Sequence, residues 1–327
     1  MTASRVPISL AISHYDRHVP FLEGAQGVDG VDLTVLEIGQ SAPGRHGTDR
    51  HRRMLERGEW DAAEVSFSNY IMAIDRGAPF TAIPVVPRRL FSQSLFFTRI
   101  DSPLSGPQSL VGRRVGLNTY QTTLSVLAKG DLQHAHGVPW KEITWVVNLP
   151  EIVPFDPPQD VRIEWLPKAG DRIDQHLLDG RIDALVMPHP PKRLTTGEPK
   201  IKRLFPDPRG AELAYYRQQG YWPIMHFIVL RNDVVAQHPW LPRALFGAYL
   251  AAKEKLAAYW SDPNWSQLVW GPQYREEERA LLGDPWQHGL AANRTSIERF
   301  MRYSYEQGLI SAPMAPERLF HESVLDT

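Results

Sequence analysis

Two successive runs of alternating strands and helices constrain the fold of this chain more than any other feature of its sequence. In the first run the strand segments are residues 7–12, 31–38, 62–65 and 80–86, and the helical segments are 50–57 and 69–76. Gly58 and Gly77 follow these helices, as is typical of helix C-termini. Strands that alternate with helices form parallel sheets with helices on their faces, so we predict an α/β fold.

The second run repeats this order. It starts at residue 110; its strand segments are residues 113–117, 143–147, 161–166, 184–187 and 224–230, and its helical segments are 122–136, 171–178 and 211–218. Beyond residue 230 the pattern is helical, over 238–260, 276–282 and 293–307. Two α/β units, a return strand and C-terminal helices together predict a two-lobed molecule.

The lobes are expected to be joined by crossings near residues 87–94 and 206–223. Lobe 1 would then comprise residues 1–90 and 220–327, and lobe 2 would comprise residues 91–219. Ligands of such folds bind at the carboxyl ends of the parallel strands, which predicts a cleft between the lobes.

Composition excludes several classes of protein. The chain has 327 residues, with 36 Lys and Arg against 37 Asp and Glu, so its charge gives no support for nucleic-acid or membrane-surface binding. Cysteine is absent, which excludes disulfides, thiolate nucleophiles and cysteine metal sites. No signal peptide is recognisable, and no apolar run approaches the ~20 residues of a membrane span. We therefore expect a cytoplasmic protein.

The segment D-A-A-E-V-S-F-S-N-Y, residues 61–70, predicts an anion site. A buried strand here ends in small hydroxyl residues and leads into a helix, whose N-terminus leaves several backbone N–H groups unpaired. Ser66 and Ser68 would add hydroxyl donors for a carboxylate or phosphate. The alternative is that Ser68 only caps the helix.

T-Y-Q-T-T, residues 119–123, repeats this arrangement in the second run. Thr119, Tyr120, Gln121 and Thr122 follow a strand and precede a helix, so they predict a second anion site. Capping by Thr119 or Thr122 is again the alternative. Two such sites would suit a substrate with two carboxylates.

Three histidines are candidates for acid–base chemistry, because imidazole titrates near neutral pH. His14 follows the first strand, His189 lies between prolines after strand 184–187, and His226 lies in an otherwise apolar strand. Each has a structural alternative: His14 as a cap or surface residue, His189 as a loop residue and His226 as a hydrogen-bonded core residue.

Arginine and aromatic residues supply candidate binding groups. Arg17 and Arg88 are placed to bind a carboxylate, which arginine holds through two parallel hydrogen bonds. Tyr221 precedes His226 and is placed to stack on an aromatic ring. Glu64 lies in a buried strand and needs a partner, for which Arg17 is the expected residue.

No cofactor is predicted. The chain has no H-E-x-x-H or EF-hand pattern, no glycine-rich nucleotide-binding loop and no G-x-S-x-G elbow. His14 and His18 stand four residues apart, but Pro20 makes a regular helix there doubtful. A divalent metal ion held by His14, His189, His226 and Glu64 stays an alternative.

Several motifs together resemble one known family. They are H-Y-D-R at residues 14–17, D-A-A-E-V-S-F-S-N-Y at 61–70, A-I-P-V-V-P-R-R at 82–89, G-R-R-V-G-L-N-T-Y-Q-T-T at 112–123, A-Y-Y-R-Q-Q-G-Y-W-P-I-M-H at 214–226, G-L-A-A-N-R at 289–294 and R-Y-S-Y-E-Q-G-L at 302–309. From about residue 7 to about 325 the chain resembles the 4,5-dihydroxyphthalate decarboxylase family. The segment at residues 45–50 and His14 depart from that family's pattern.

The resemblance implies a type II periplasmic-binding-protein-like fold used as a cytoplasmic enzyme. It also implies non-oxidative decarboxylation of a hydroxylated aromatic acid such as 4,5-dihydroxyphthalate, by protonation of the ring carbon. The expected partners are a small aromatic carboxylate and a second copy of the chain in a homodimer. Alternatives are a solute-binding protein for a small carboxylate, which would normally carry a signal peptide, and a lyase of related fold that acts on a cyclic carboxylate.

Overall fold

A five-stranded sheet organises the first of two units in the computed structural model, which describes residues 5–39, 46–166, 172–191, 194, 197 and 199–327. The strands of this sheet are β1 (Val6–Ile12), β2 (Val31–Glu37), β3 (Ala62–Ser66), β4 (Phe80–Arg89) and β11 (Ile224–Arg231). Their order is β2-β1-β3-β11-β4. β1 pairs in parallel with β2 and β3, whereas β11 is antiparallel to β3. The edge position of β4 suits its two prolines, because proline cannot donate to a sheet ladder.

Unit 1 also contains helices. They are α1 (Val19–Leu22), α2 (Arg50–Arg57), α3 (Phe67–Asp75), α7 (Asn232–Gln237), α8 (Leu241–Tyr259), α9 (Gly271–Leu282) and the first residues of α10 (Leu290–Glu306), which passes into unit 2 at Ser296. The sequence predicted that this helix begins near residue 69. In the structure β3 passes directly into α3, which begins at Phe67. No loop residue separates β3 from α3. All five residues of β3 and the first eight of α3 are buried.

The second sheet has the order β10-β5-β9-β6-β7-β8. Its strands are β5 (Phe96–Arg99), β6 (Arg114–Leu117), β7 (Thr144–Val147), β8 (Ile163–Trp165), β9 (Ala184–Val186) and β10 (Ile201–Arg203), and its helices are α4 (Thr123–His134), α5 (Ile173–Leu178) and α6 (Pro208–Gln219). β6 is parallel to β7 and β9, whereas β5 is antiparallel to β9 and β10. The alternating pattern had predicted a parallel sheet, whereas this sheet is mixed.

The two units divide the chain at four points. Unit 1 comprises Met1–Arg88, His226–Thr295 and Met314–Thr327, and unit 2 comprises Arg89–Met225 and Ser296–Pro313. The sequence had placed every residue after 219 in lobe 1, whereas residues 220–225 and Ser296–Pro313 belong to unit 2.

Packing within unit 2 gives the reason. The ring of Tyr303 lies so close to Gly130 of α4 that a Cβ on the glycine would come within 2.0 Å of Tyr303 Cδ2. Gln307 also donates to the carbonyl of Val126, at 2.9 Å. Helical periodicity shows that a face is apolar but not which neighbour it contacts.

No helix among the described residues is long and apolar enough to cross a membrane. The predicted helix start at residue 171 and part of the predicted loop at 188–200 lie outside those residues.

Candidate active site

The carboxyl ends of β1 and β3 bring the candidate residues of unit 1 together. Ser13 follows β1, and Glu64 and Ser66 lie in β3. β11 runs antiparallel beside β3 in a register that places His226 opposite Ser66 and Ile228 opposite Glu64. These polar side chains therefore lie together at the end of the sheet where β1 and β3 have their carboxyl ends.

Glu64 is the centre of this group and is fully buried. One carboxylate oxygen accepts from the Ser13 backbone N–H at 3.0 Å and pairs with Arg50 Nη2 at 3.0 Å. The other oxygen contacts His226 Nδ1. Burial alone would raise the pKa of this carboxyl, but the Arg50 charge and the His226 hydrogen bond outweigh burial and hold the pKa well below its usual range. Glu64 is therefore a carboxylate at neutral pH.

His226 is held in one tautomer by this carboxylate. A carboxylate only accepts hydrogen bonds, so Nδ1 carries the proton and donates to Glu64. Burial lowers the pKa of His226 to about 4, against the opposing charge of Glu64. The ring is neutral at pH 7, and its lone pair is on Nε2.

His51, near the start of α2, lies against His226. The ring centroids are 4.8 Å apart, with the planes at 69°. The Ser66 backbone N–H donates to His51 Nδ1 at 3.1 Å, so the proton of the neutral ring is on Nε2. Burial, followed by the neighbouring His226 and Arg50, holds the pKa of His51 well below its usual value.

Arg88 adds an uncompensated positive charge. It lies near the end of β4 and is half-buried, and no described residue forms an ion pair or hydrogen bond with its side chain. After burial and closer groups, the charge of Arg88 is a further cause of the lowered pKa values of His51 and His226. A guanidinium that has no partner among the described residues, and whose charge acts on two neutral imidazoles, is suited to bind an anion.

Arg17 and His14 make contacts of their own in unit 1. Arg17 Nε donates to the carbonyl of Pro87, and its guanidinium lies 4.2 Å from the ring centroid of Tyr15 and 4.5 Å from that of Trp286. His14 Nδ1 lies 3.1 Å from Glu37 Oε2, and the His14 side chain is 39% exposed. The partner of Glu64 is Arg50, not Arg17, which corrects the sequence interpretation.

The two predicted serines occupy different positions in the β3–α3 turn. Ser66 is the N-cap residue of α3, and its side chain makes no capping hydrogen bond. Ser68 is fully buried inside the first turn of the helix, so it is not the N-cap. The structural alternative for Ser68, plain capping, does not apply.

The T-Y-Q-T-T loop of unit 2 already holds an anion, which is Glu151 of the same unit. The backbone N–H groups of Tyr120 and Gln121 donate to its carboxylate at 2.6 and 3.3 Å. The N–H of Thr122 donates to Thr119 Oγ1 at 3.1 Å, and Thr122 caps α4 by accepting from Ser125 N. The capping alternative thus describes Thr122, whereas Thr119 accepts from the cap residue and is not itself the N-cap.

His189 and Tyr221 also belong to unit 2. His189 is exposed. Tyr221 is buried, with its hydroxyl 3.1 Å from that of Tyr215. The group around Glu64 belongs to unit 1.

Comparison with named relatives shows to which family the chain belongs. A 4,5-dihydroxyphthalate decarboxylase of Comamonas testosteroni is 30% identical over 334 residues, which cover 99% of this chain and 99% of that relative. The chain belongs to the 4,5-dihydroxyphthalate decarboxylase family. A second member, from Pseudomonas putida, is 29% identical over 226 residues, covering 67% of this chain and 84% of the relative. No family model matches the sequence.

Solved structures place this decarboxylase family member in the periplasmic-binding-protein-like fold. The periplasmic aliphatic sulphonate binding protein SsuA from Escherichia coli superposes with a TM-score of 0.55, at 12% identity, over 99% of this chain and 100% of that protein. At this identity the likeness shows the fold alone. The predicted fold class is confirmed, and so is the assignment to a family of carboxy-lyases.

The residues that sequence reasoning missed in this family member are Arg50 and His51. Both lie in a charged stretch at the start of α2 that reads as a surface helix. The only available signal was that a buried Glu64 requires a cation. In the part of the chain that the structure describes, no three His, Asp or Glu side chains are grouped to hold a metal ion.

Proposed function

We propose that this protein decarboxylates 4,5-dihydroxyphthalate, or a closely related hydroxylated aromatic dicarboxylic acid, without a redox step. Support comes from the family and from the name of its relative in Comamonas testosteroni. The observation that carries the proposal is the His226–Glu64–Arg50 group beside Arg88, whose guanidinium has no partner among the described residues. It combines an oriented base with a carboxylate-binding cation.

The chemistry requires electrons to reach the ring carbon that bears the departing carboxylate. Loss of the proton from the hydroxyl para to that carbon supplies them, and the carbon then takes a proton from an acid. The C–C bond breaks, its electron pair restores the aromatic ring as a phenolate, and CO₂ leaves. The phenolate recovers the first proton, so the net reaction consumes one proton and gives 3,4-dihydroxybenzoate.

His226 is the residue we assign to the hydroxyl proton. Its Nε2 lone pair accepts the proton, and Glu64 stabilises the imidazolium that forms, as in other carboxylate–histidine pairs. The lowered pKa keeps His226 neutral when substrate arrives, and the charge of Glu64 offsets the weaker basicity that burial gives the ring. On product formation the imidazolium returns the proton to the phenolate.

Arg88 and the N-terminus of α3 are assigned to the carboxylates. Arg88 offers two parallel N–H donors, and α3 is a nine-residue helix that begins at Phe67, next to Ser66 and Ser68. His14 stays the predicted acid for the ring carbon; its Nδ1 faces the carboxylate of Glu37, so Nε2 carries a proton to donate only when the ring is an imidazolium. His189 stays a second prediction for this role.

The predictions of cofactor independence and of a cytoplasmic location belong to the same proposal. Dialysis of the purified enzyme against EDTA is expected to leave turnover unchanged, and metal-restored activity would contradict it. Fractionation of cells that express the natural gene tests the location.

A substrate panel tests the function. Purified protein is incubated with 4,5-dihydroxyphthalate, 4-hydroxyphthalate, phthalate and hydroxybenzoates, and released CO₂ is measured together with the aromatic product. We expect turnover of the hydroxylated phthalates and none of phthalate, which lacks the electron-donating hydroxyl. Tight binding of a carboxylate without turnover of any compound would instead favour a solute-binding protein.

A further inference from the structure

The two histidines of the site present opposite hydrogen-bonding groups. His226 donates from Nδ1 to a carboxylate, so its Nε2 is an acceptor. His51 accepts at Nδ1 from the Ser66 backbone N–H, so its Nε2 is a donor. Each assignment follows from a partner that can act in one direction only.

Both Nε2 atoms are available to a ligand. No described residue forms a hydrogen bond with either atom, and neither atom is among the buried polar atoms that lack a partner. The rings are in edge contact, with centroids 4.8 Å apart. The site thus offers one acceptor and one donor on two adjacent rings.

This combination selects a particular ligand group. A carboxylate only accepts, so it would match His51 but face the lone pair of His226. Two adjacent hydroxyls match both, because one donates to His226 while the oxygen of the other accepts from His51. The carboxylates of the same ligand, which only accept hydrogen bonds, are then left for Arg88.

We propose that His51 and His226 bind the two adjacent hydroxyls of an aromatic ring, which makes His51 a specificity-determining residue for vicinal dihydroxy aromatic acids. The inference rests on the proposed function and deepens it. His226 takes the proton of the hydroxyl para to the departing carboxylate, and His51 Nε2–H donates to the oxygen of the neighbouring hydroxyl. A substrate with a single hydroxyl lacks the second oxygen that this assignment gives to His51.

Kinetic discrimination between 4,5-dihydroxyphthalate and 4-hydroxyphthalate tests this assignment. We expect the wild-type kcat/KM to favour the dihydroxy substrate by about tenfold or more, the value of one well-placed hydrogen bond. In His51→Met this preference is expected to fall below about threefold, through loss of activity on the dihydroxy substrate alone. His51→Gln retains an acceptor for Ser66 and a donor for the ligand, and it should restore the preference.

The outcomes separate this inference from the proposed function. Equal losses on both substrates in His51→Met, or no wild-type preference, would overturn the inference while leaving decarboxylation in place. If the protein turns over neither substrate, calorimetric titration of the wild type with 3,4-dihydroxybenzoate and 4-hydroxybenzoate still decides. Binding of the dihydroxy acid about tenfold more tightly supports the pair, and equal binding overturns it. His238→Gln, at the end of α7, is the control histidine and should leave both ratios unchanged.

Discussion

Replacing Glu64 by Gln tests whether this carboxylate fixes the tautomer of His226. The substitution keeps the size of the side chain and removes its charge. The amide oxygen is expected to face Ser13 N and Arg50 Nη2, the two donors that lie 3.0 Å from one carboxylate oxygen. The amide NH₂ then faces His226 Nδ1 and donates to it, which moves the ring proton to Nε2. The catalytic lone pair would be lost although the ring stays in place.

The size of the effect follows from burial and charge. Arg50 is 3% exposed and would lose its ionised partner, and breaking a buried pair in this way costs about 3–5 kcal/mol of unfolding free energy. A histidine base in the wrong tautomer loses about 10²–10⁴-fold in kcat. Glu56→Gln is the matched control, because its pair with Arg52 is exposed and contributes less than about 1 kcal/mol.

Three measurements together decide the outcome. Urea unfolding gives the loss of stability, steady-state kinetics give kcat, and ¹⁵N shifts of the histidine rings report which nitrogen carries the proton. We expect the His226 proton on Nδ1 in the wild type and on Nε2 in Glu64→Gln. A folded variant with wild-type kcat, or an unchanged His226 tautomer, would refute the reasoning.

Three further changes give independent expectations. Arg88→Gln should weaken binding of an aromatic dicarboxylate by about 10–100-fold, measured by calorimetry, whereas the exposed Arg57→Gln should not, because only Arg88 lies beside the histidine pair. Burial raises the pKa of the Asp131 carboxyl to about 7, so the folded state holds this proton more tightly than the unfolded chain and stability falls as pH rises from about 4 to 7. Asp131→Asn should make the free energy of unfolding, measured with urea, depend less on pH and should raise it by up to about 4 kcal/mol at pH 8. An unchanged pH dependence would contradict the assignment of this titration to Asp131. Gly130→Ala should destabilise by about 1–3 kcal/mol, because its Cβ would lie 2.0 Å from Tyr303, whereas Gly247→Ala in α8 meets no neighbour within 4 Å and should stabilise by about 0.5–1 kcal/mol.

The sequence predicted the elements that carry the site because local patterns determine them. Apolar strands followed by polar residues predicted the strand that carries Glu64 and the return strand that carries His226. The predicted substrate-binding and catalytic residues remain predictions. The structure places His226 opposite Ser66 in the β3–β11 pair, and the Ser66 backbone N–H donates to His51, whose ring contacts that of His226.

The misses have a common physical origin in contacts between elements that are distant in sequence. Nothing in the stretch around residue 50 shows that Arg50 turns inward, because an arginine in a charged helix is usually on the surface. The occupation of the Tyr120 and Gln121 N–H groups depends on Glu151, which lies in a separate proline-rich loop. Local sequence indicates where unpaired donors arise but not which distant group satisfies them.

Single-turnover decarboxylation by the wild type and by His226→Gln tests the central claim most directly. The enzyme in excess over 4,5-dihydroxyphthalate is expected to release one CO₂ per substrate and form 3,4-dihydroxybenzoate, with the rate reduced at least about 100-fold in His226→Gln and unchanged in His238→Gln. Wild-type protein that binds the compound without releasing CO₂, or a His226→Gln variant that reacts at the wild-type rate, would contradict the account.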